Sequence, residues 1–247
     1  REPRLRDDVD VLVEGRRITA LPPRDQGPAD AERMDCGGRT LMPGLIDAHW
    51  HATLAAAPEL VVFTEDFAYV HLLAAREAGA TLGRGFTTVR DTGGPAFALK
   101  RAIDDGVVAG PRVFPSGEMV SQPSGHGDFR FPNQLPRVAG EPLDHVQQVG
   151  VSALADGADA VLVRVREQLM KGASQIKLMA GGGVSSLFDP IDSIQYLEKE
   201  LAAGVRAAAD WGTYVCVHVY VPGGMRRAIR AGVRCIEHGQ LADEETV

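Results

Sequence analysis

Pro43-Gly44-Leu45-Ile46-Asp47-Ala48-His49-Trp50-His51 begins with a turn and runs through an apolar stem into two histidines two residues apart. Successive side chains on a β-strand point to opposite faces, so His49 and His51 project from the same one. Two neutral imidazoles converging from one rigid strand suit a divalent metal. An isolated H-x-H is just as readily a pair of satisfied core histidines, so the decision falls to the rest of the chain. Trp50, pointing the other way, is expected to pack between strand and helices, and Asp47 to fix local geometry.

Working outward, the pattern from Leu41 onward is one of short apolar strands alternating with amphipathic helices. Strands are expected at 86–91, 112–116, 175–179, 214–219 and 235–238, besides the opening one. Helices are expected at 67–82, 97–104, 144–155, 159–171, 194–211 and 223–231, and a long Gly-, Pro- and Ser-rich loop at 117–140. Strand-then-helix units in series predict an α/β protein with a parallel sheet closed as a (β/α)8 TIM-type barrel, about six of the eight units being present.

Ahead of this, residues 8–21 alternate as a β-hairpin, 22–31 reads as a surface loop and 33–36 as another short strand. A lone hairpin is marginal in water. Residues 1–41 are therefore expected to be part of a small β-sandwich domain, with further strands from later in the chain, and 42–247 an incomplete barrel.

The 247 residues carry a formal charge of -7, which excludes the basic footprint of a nucleic-acid binder. No apolar stretch approaches the roughly 20 residues of a membrane-spanning helix, and the polar start is no signal peptide, so a cytoplasmic protein without a membrane partner is expected. Three cysteines without C-x-x-C spacing give neither a disulfide framework nor a zinc knuckle.

Polar residues interrupt the apolar runs at one recurring place. His49 and His51 close the first strand, Lys177 lies in the fourth, His218 ends the fifth and His238 the sixth. In a barrel these ends meet on a single face. Each residue alone has a bland explanation; recurrence in four strands argues for a site. A lysine within Ile176-Lys177-Leu178-Met179 is expected to be desolvated and hence neutral, unless it snorkels to solvent. Gly181-Gly182-Gly183 after it allows close backbone approach.

Five segments carry a resemblance to the amidohydrolase superfamily, metal-dependent hydrolases on a (β/α) barrel: G-G-R-T-L-M-P-G-L-I-D-A-H-x-H, G-F-T-T-V-R-D, S-G-H-G-D, I-K-L-M-A-G-G-G and E-H-G. The chain is most similar to the branch of imidazolonepropionase-like enzymes and Xaa-Pro dipeptidase-like carboxypeptidases. The resemblance implies two divalent metal ions, taken as Zn2+. His49 and His51 would hold one, His218 and His238 the other, and Lys177, converted to a carbamate by CO2, would bridge both. It implies that His126 and Tyr220 hold a substrate carboxylate. The family's acid/base aspartate ends an eighth strand; neither Asp91 nor Asp128 matches it, and the residue is expected after Val247. Arg90, Arg130 and Arg164 are further candidates for a carboxylate, and no spacing singles one out.

The implied activity is hydrolysis of a C-N amide bond in a small molecule, foremost the C-terminal peptide bond of a dipeptide or N-acyl amino acid. Hydrolysis of a cyclic amide, as in imidazolonepropionase, or of an aryl amide is the alternative within the class. Outside it stands an inactive metal-binding fragment. Open sheet edges in an incomplete barrel predict association, a homo-oligomer included, or aggregation.

Overall fold

The computed structural model describes residues 5–135 and 142–247. The chain divides into two compact units between Pro43 and Gly44. In the first, β1 (Leu12–Glu14) and β2 (Arg17–Ala20) pair antiparallel, and Gly15 takes the positive φ of 61° that the tight turn demands. A single bridge, Val9 to Pro23, extends the hairpin. The strand expected at 33–36 does not form. Met34 is 87% exposed, so one face of it has nothing to pack against, and Asp35 accepts the Gly37 amide at 2.8 Å, folding the segment into a turn.

The second unit runs β3 (Leu45–Trp50), α1 (Glu59–Thr64), α2 (Phe67–Gly83), β4 (Phe86–Asp91), α3 (Phe97–Asp104) and β5 (Arg112–Pro115). It continues with β6 (Met119–Ser121), α4 (His145–Val149), β7 (Ser152–Leu154), α5 (Ala158–Met170) and β8 (Ile176–Met179). Last come α6 (Glu198–Asp210), β9 (Val215–Val219), α7 (Pro222–Arg230) and β10 (Cys235–His238). All strand pairs here are parallel, in the orders β3-β4-β5 and β10-β9-β8-β6-β7. Between the two sheets the Ser174 amide donates to the Pro115 carbonyl at 2.8 Å. Buried Gln175 donates to the Asp91 and Phe114 carbonyls at 2.9 and 3.0 Å. The seam is thus held by one backbone bond and one side chain where no strand ladder runs.

Parallel pairing sorts the side chains. Leu178, Val217 and Val219 turn outward into a core with Val161, Val165 and Leu169 of α5, Leu201 and Ala208 of α6, and Met225 of α7. Lys177 lies level with Cys216, Met179 with His218, and His218 with Glu237, all on the other face. At β3 and β4 the helix-facing cluster holds Trp50 and Val89 with Ala74, Ala78 and Leu99, so Trp50 packs as expected.

Three more expectations fail. Residues 144–155 are not one helix: α4 stops at Gly150 with φ 84°, and Ser152–Leu154 pairs with β6. The loop at 117–140 contains β6, whose three buried residues are too few to show an alternation in sequence; its residues 136–140 lie outside the described part. The short helix α1 was not anticipated either, and the helix expected at 194–211 starts only at Glu198 because Ile194 bridges to Gly181.

Asp91, at the end of β4 and 0% exposed, accepts the amides of Ala52 at 2.7 Å and Gly93 at 3.2 Å, holding the two turns beside the histidine strand. Burial, opposed by those hydrogen bonds, pushes its carboxyl up to about 7. The folded chain therefore keeps a proton that the unfolded chain releases near pH ~4, and Asp91's contribution to stability falls as pH rises through that window. Urea unfolding should show the wild type losing stability relative to Asp91→Asn, by up to roughly 4 kcal/mol, between about pH 4 and about pH 7. A pH-independent difference would contradict this.

Candidate metal centre

The strand-end residues come together. The His49 and His51 ring centroids are 5.1 Å apart, His49 and His238 4.8 Å, His238 and His218 4.5 Å, and His218 stacks on His126 at 4.0 Å. Tyr220 stacks on His238 at 5.0 Å. Lys177 is 1% exposed and its Nζ has no hydrogen-bond partner. It does not snorkel. Burial depresses its pKa, as expected for an amine held neutral.

Hydrogen bonds fix the tautomers. His51 Nδ1 donates to the Gly93 carbonyl at 2.9 Å, and His49 Nδ1 donates to Glu237 Oε2 at 2.6 Å. Both Nε2 atoms then carry lone pairs, and they face each other at 3.2 Å. Such an arrangement is repulsive unless a proton or a cation lies between. Burial, opposed by the Gly93 hydrogen bond, lowers His51 to about 3, which disfavours the proton. A cation fits. Two ligands bonded at about 2.0–2.1 Å in tetrahedral geometry stand roughly 3.3 Å apart.

His218 Nε2 donates to the Gly182 carbonyl at 3.0 Å, which leaves Nδ1 as its free donor atom. Burial takes its pKa down to about 2, which favours the neutral ring. Among the described residues no three His, Cys, Asp or Glu side chains form a cation site by themselves. The four rings instead follow one another in the order His51, His49, His238, His218, with centroid separations of 5.1, 4.8 and 4.5 Å. Lys177, level with Cys216 on β9, shares the inward face that carries His218 two residues on.

Next to this lies the S-G-H-G-D loop. His126 Nδ1 donates to Asp189 Oδ2 at 2.8 Å, with Ser186 Oγ at 3.1 Å, and the Gly183 amide donates to the same carboxylate oxygen at 2.8 Å. Gly183 must be glycine: a Cβ there would lie 2.2 Å from the His126 ring. Asp128 is clasped by Arg130 through Nε at 2.8 Å and Nη2 at 2.7 Å. Arg164 pairs with Glu167 and Arg90 with Glu237, so all three candidate arginines are engaged within the protein. Asp47 accepts the His49 amide at 3.0 Å, the local role expected of it.

Asp189 and Glu237 escaped the sequence reading as functional residues. Glu237 alternates with Cys235 on the inward face of β10, a signal available in the E-H-G segment; Asp189 sits in an irregular loop and gives none. Burial resists ionisation of Glu237, but hydrogen bonds from His49 and Cys235 and the charge of Arg90 outweigh it and bring its pKa to about 2.

The sequence profile of the Amidohydrolase family matches residues 40–246. The chain belongs to the amidohydrolase family. Family members have TIM-barrel-type folds, in agreement with the parallel strands and outer helices. Ochratoxinase of Aspergillus niger is 35% identical over 222 residues, which are 83% of this chain and 44% of the ochratoxinase. The structure of a prolidase complexed with N-methylphosphonate-L-proline matches with TM-score 0.84 and 41% identity, over 96% of this chain and 57% of the prolidase. A Xaa-Pro dipeptidase with bound methionine in its active site matches with TM-score 0.79 and 32% identity, over 96% and 58% of the two chains. This amidohydrolase chain thus spans about half the length of the relatives it matches. No helix among its described residues is long and apolar enough to cross a membrane.

Elemental analysis of the purified chain should find zinc or another divalent metal, reduced on changing His49 or His218 to alanine. Identical metal content in the wild type and both variants would remove these residues from the site.

Proposed function

We propose that the chain serves a binuclear metal-dependent hydrolase that cleaves the C-terminal amide bond of a dipeptide or N-acyl amino acid. The observation that carries this reading is the buried Lys177 amine, which has no hydrogen-bond partner and lies on the same inward face of the sheet as His218. An ammonium left there unpaired would cost on the order of several kcal/mol. A neutral amine adds through its lone pair to the carbon of CO2 and gives up a proton to solvent, and the carbamate so formed would offer two oxygens as metal ligands. His49 and His51 would hold one cation through Nε2, and His218, through Nδ1, with His238 the other. Bound there, divalent cations, taken as Zn2+, supply Lewis acidity at the scissile carbonyl and lower the pKa of a water.

The chain's own residues orient the substrate. His126 and Tyr220 flank His218 and are read as the donors to the substrate's free carboxylate. With Asp189 accepting from Nδ1, a carboxylate at Nε2 would put an acceptor on each ring nitrogen, which favours the imidazolium despite the lowering effect of burial. The tight contact of Gly183 with the ring keeps it in place. Proton delivery to the leaving amine falls to a carboxylate other than Asp91 or Asp128, because the first is bound to backbone amides and the second to Arg130.

In the same reading β3, β4, β5, β8, β9 and β10 are six strands of a (β/α)8 barrel, β6 and β7 are additions to it, and the hairpin belongs to a small β-sandwich domain.

Lys177→Ala should lose hydrolysis of Xaa-Pro dipeptides and N-acyl amino acids, and recover part of it with short carboxylic acids that replace the carbamate. Tyr220→Phe should raise KM for free-carboxylate substrates about tenfold, the worth of one charged hydrogen bond, while leaving their amides unaffected. Equal effects on both substrate types would sink the carboxylate assignment.

A further inference from the structure

The structure assigns to Glu237 and Arg90 the role of a positioning pair that fixes His49 for a divalent cation, an inference that rests on the metal-centre reading above. Glu237 is 5% exposed and uses both carboxylate oxygens. Oε2 accepts the His49 Nδ1 proton at 2.6 Å; Oε1 accepts from Arg90 Nη2, with Cys235 Sγ at 3.1 Å. Arg90 is held in turn. Its Nε donates to the Ala48 carbonyl at 2.6 Å, and its Nη1 to the Tyr214 hydroxyl at 3.2 Å.

His49 is therefore gripped twice. Arg90 holds the peptide that leads into it, and Glu237 holds its ring. The two grips meet in one ion pair that ties β3, β4 and β10 together. Among the described hydrogen bonds of the four histidines, His51 and His218 rest on backbone carbonyls, whereas His49 rests on a charged side chain. A carboxylate at Nδ1 selects the tautomer with a lone pair on Nε2 and makes that nitrogen a stronger donor. Arg90 neutralises the carboxylate and stops it from turning toward the cation itself, because the bonds to Ala48 and Tyr214 keep the guanidinium in one place. Neither residue touches the cation or the substrate in this scheme.

The test is zinc affinity, measured on the full metal-stripped chain by competition with a chromophoric chelator, with thermal melting in excess chelator to report the fold separately. Glu237→Gln is expected to weaken one zinc equivalent about 10–100-fold and leave the other within about twofold. Glu237→Asp keeps the charge opposite Arg90 but withdraws the carboxylate from His49, and should show the same selective loss with an unchanged melt; it decides the matter if the glutamine variant does not fold. Arg90→Lys, which cannot reach Ala48, Glu237 and Tyr214 together, should weaken the same equivalent. Wild-type affinity in the aspartate and lysine variants, or equal loss at both equivalents, overturns the inference alone. A wild-type chain that binds no zinc overturns it together with the metal centre.

Discussion

A lysine amine buried to 1% exposure without a hydrogen-bond partner is the constraint around which this site is arranged. An ammonium is tolerated in such a place only with a counter-charge, and Glu237, on the same inward face, is already shared between His49 and Arg90. Burial pushes the amine toward its neutral form, and it lowers the pKa values of His51, His218 and His238 as well. In the proposed reading, burial favours the forms in which the lysine accepts CO2 and these three histidines bind metal.

Two faces of the same strands divide the labour. The outward faces of β8 and β9 are aliphatic and lock onto α5, α6 and α7, while the inward faces carry Lys177, Cys216, His218 and Glu237. A parallel ladder makes this economical, since residues level with one another share a face. Precision at the histidines therefore comes from packing that lies on the far side of the sheet. Between the sheets, Gln175 replaces the missing ladder with two side-chain hydrogen bonds, so the lysine strand stays in register with β4 and β5.

The loop side of the site is built differently. His126 is placed by Asp189, Ser186 and the absence of a side chain at Gly183, contacts that span some sixty residues of sequence. Like-for-like replacement of any one of them would move an aromatic ring that stacks on His218.

Much of the fold was legible in the sequence. The spacing of His49 and His51, the apolar stems of β3, β8, β9 and β10, and the limits of α2, α3, α5 and α7 followed from periodicity, because each element buries one regular face. The five strand-end residues were legible because a polar side chain stands out in an apolar run. What periodicity could not reveal were the elements too short to show it, β6, β7 and α1, and the failed strand at 33–36, where turn-forming Asp35 and Gly37 outweighed local strand character. Nor could sequence choose partners. That Glu237 answers His49 across 188 residues, and Asp189 answers His126 across 63, was decided by tertiary structure alone, because hydrogen bonds depend on distance and direction in space and leave no period along the chain.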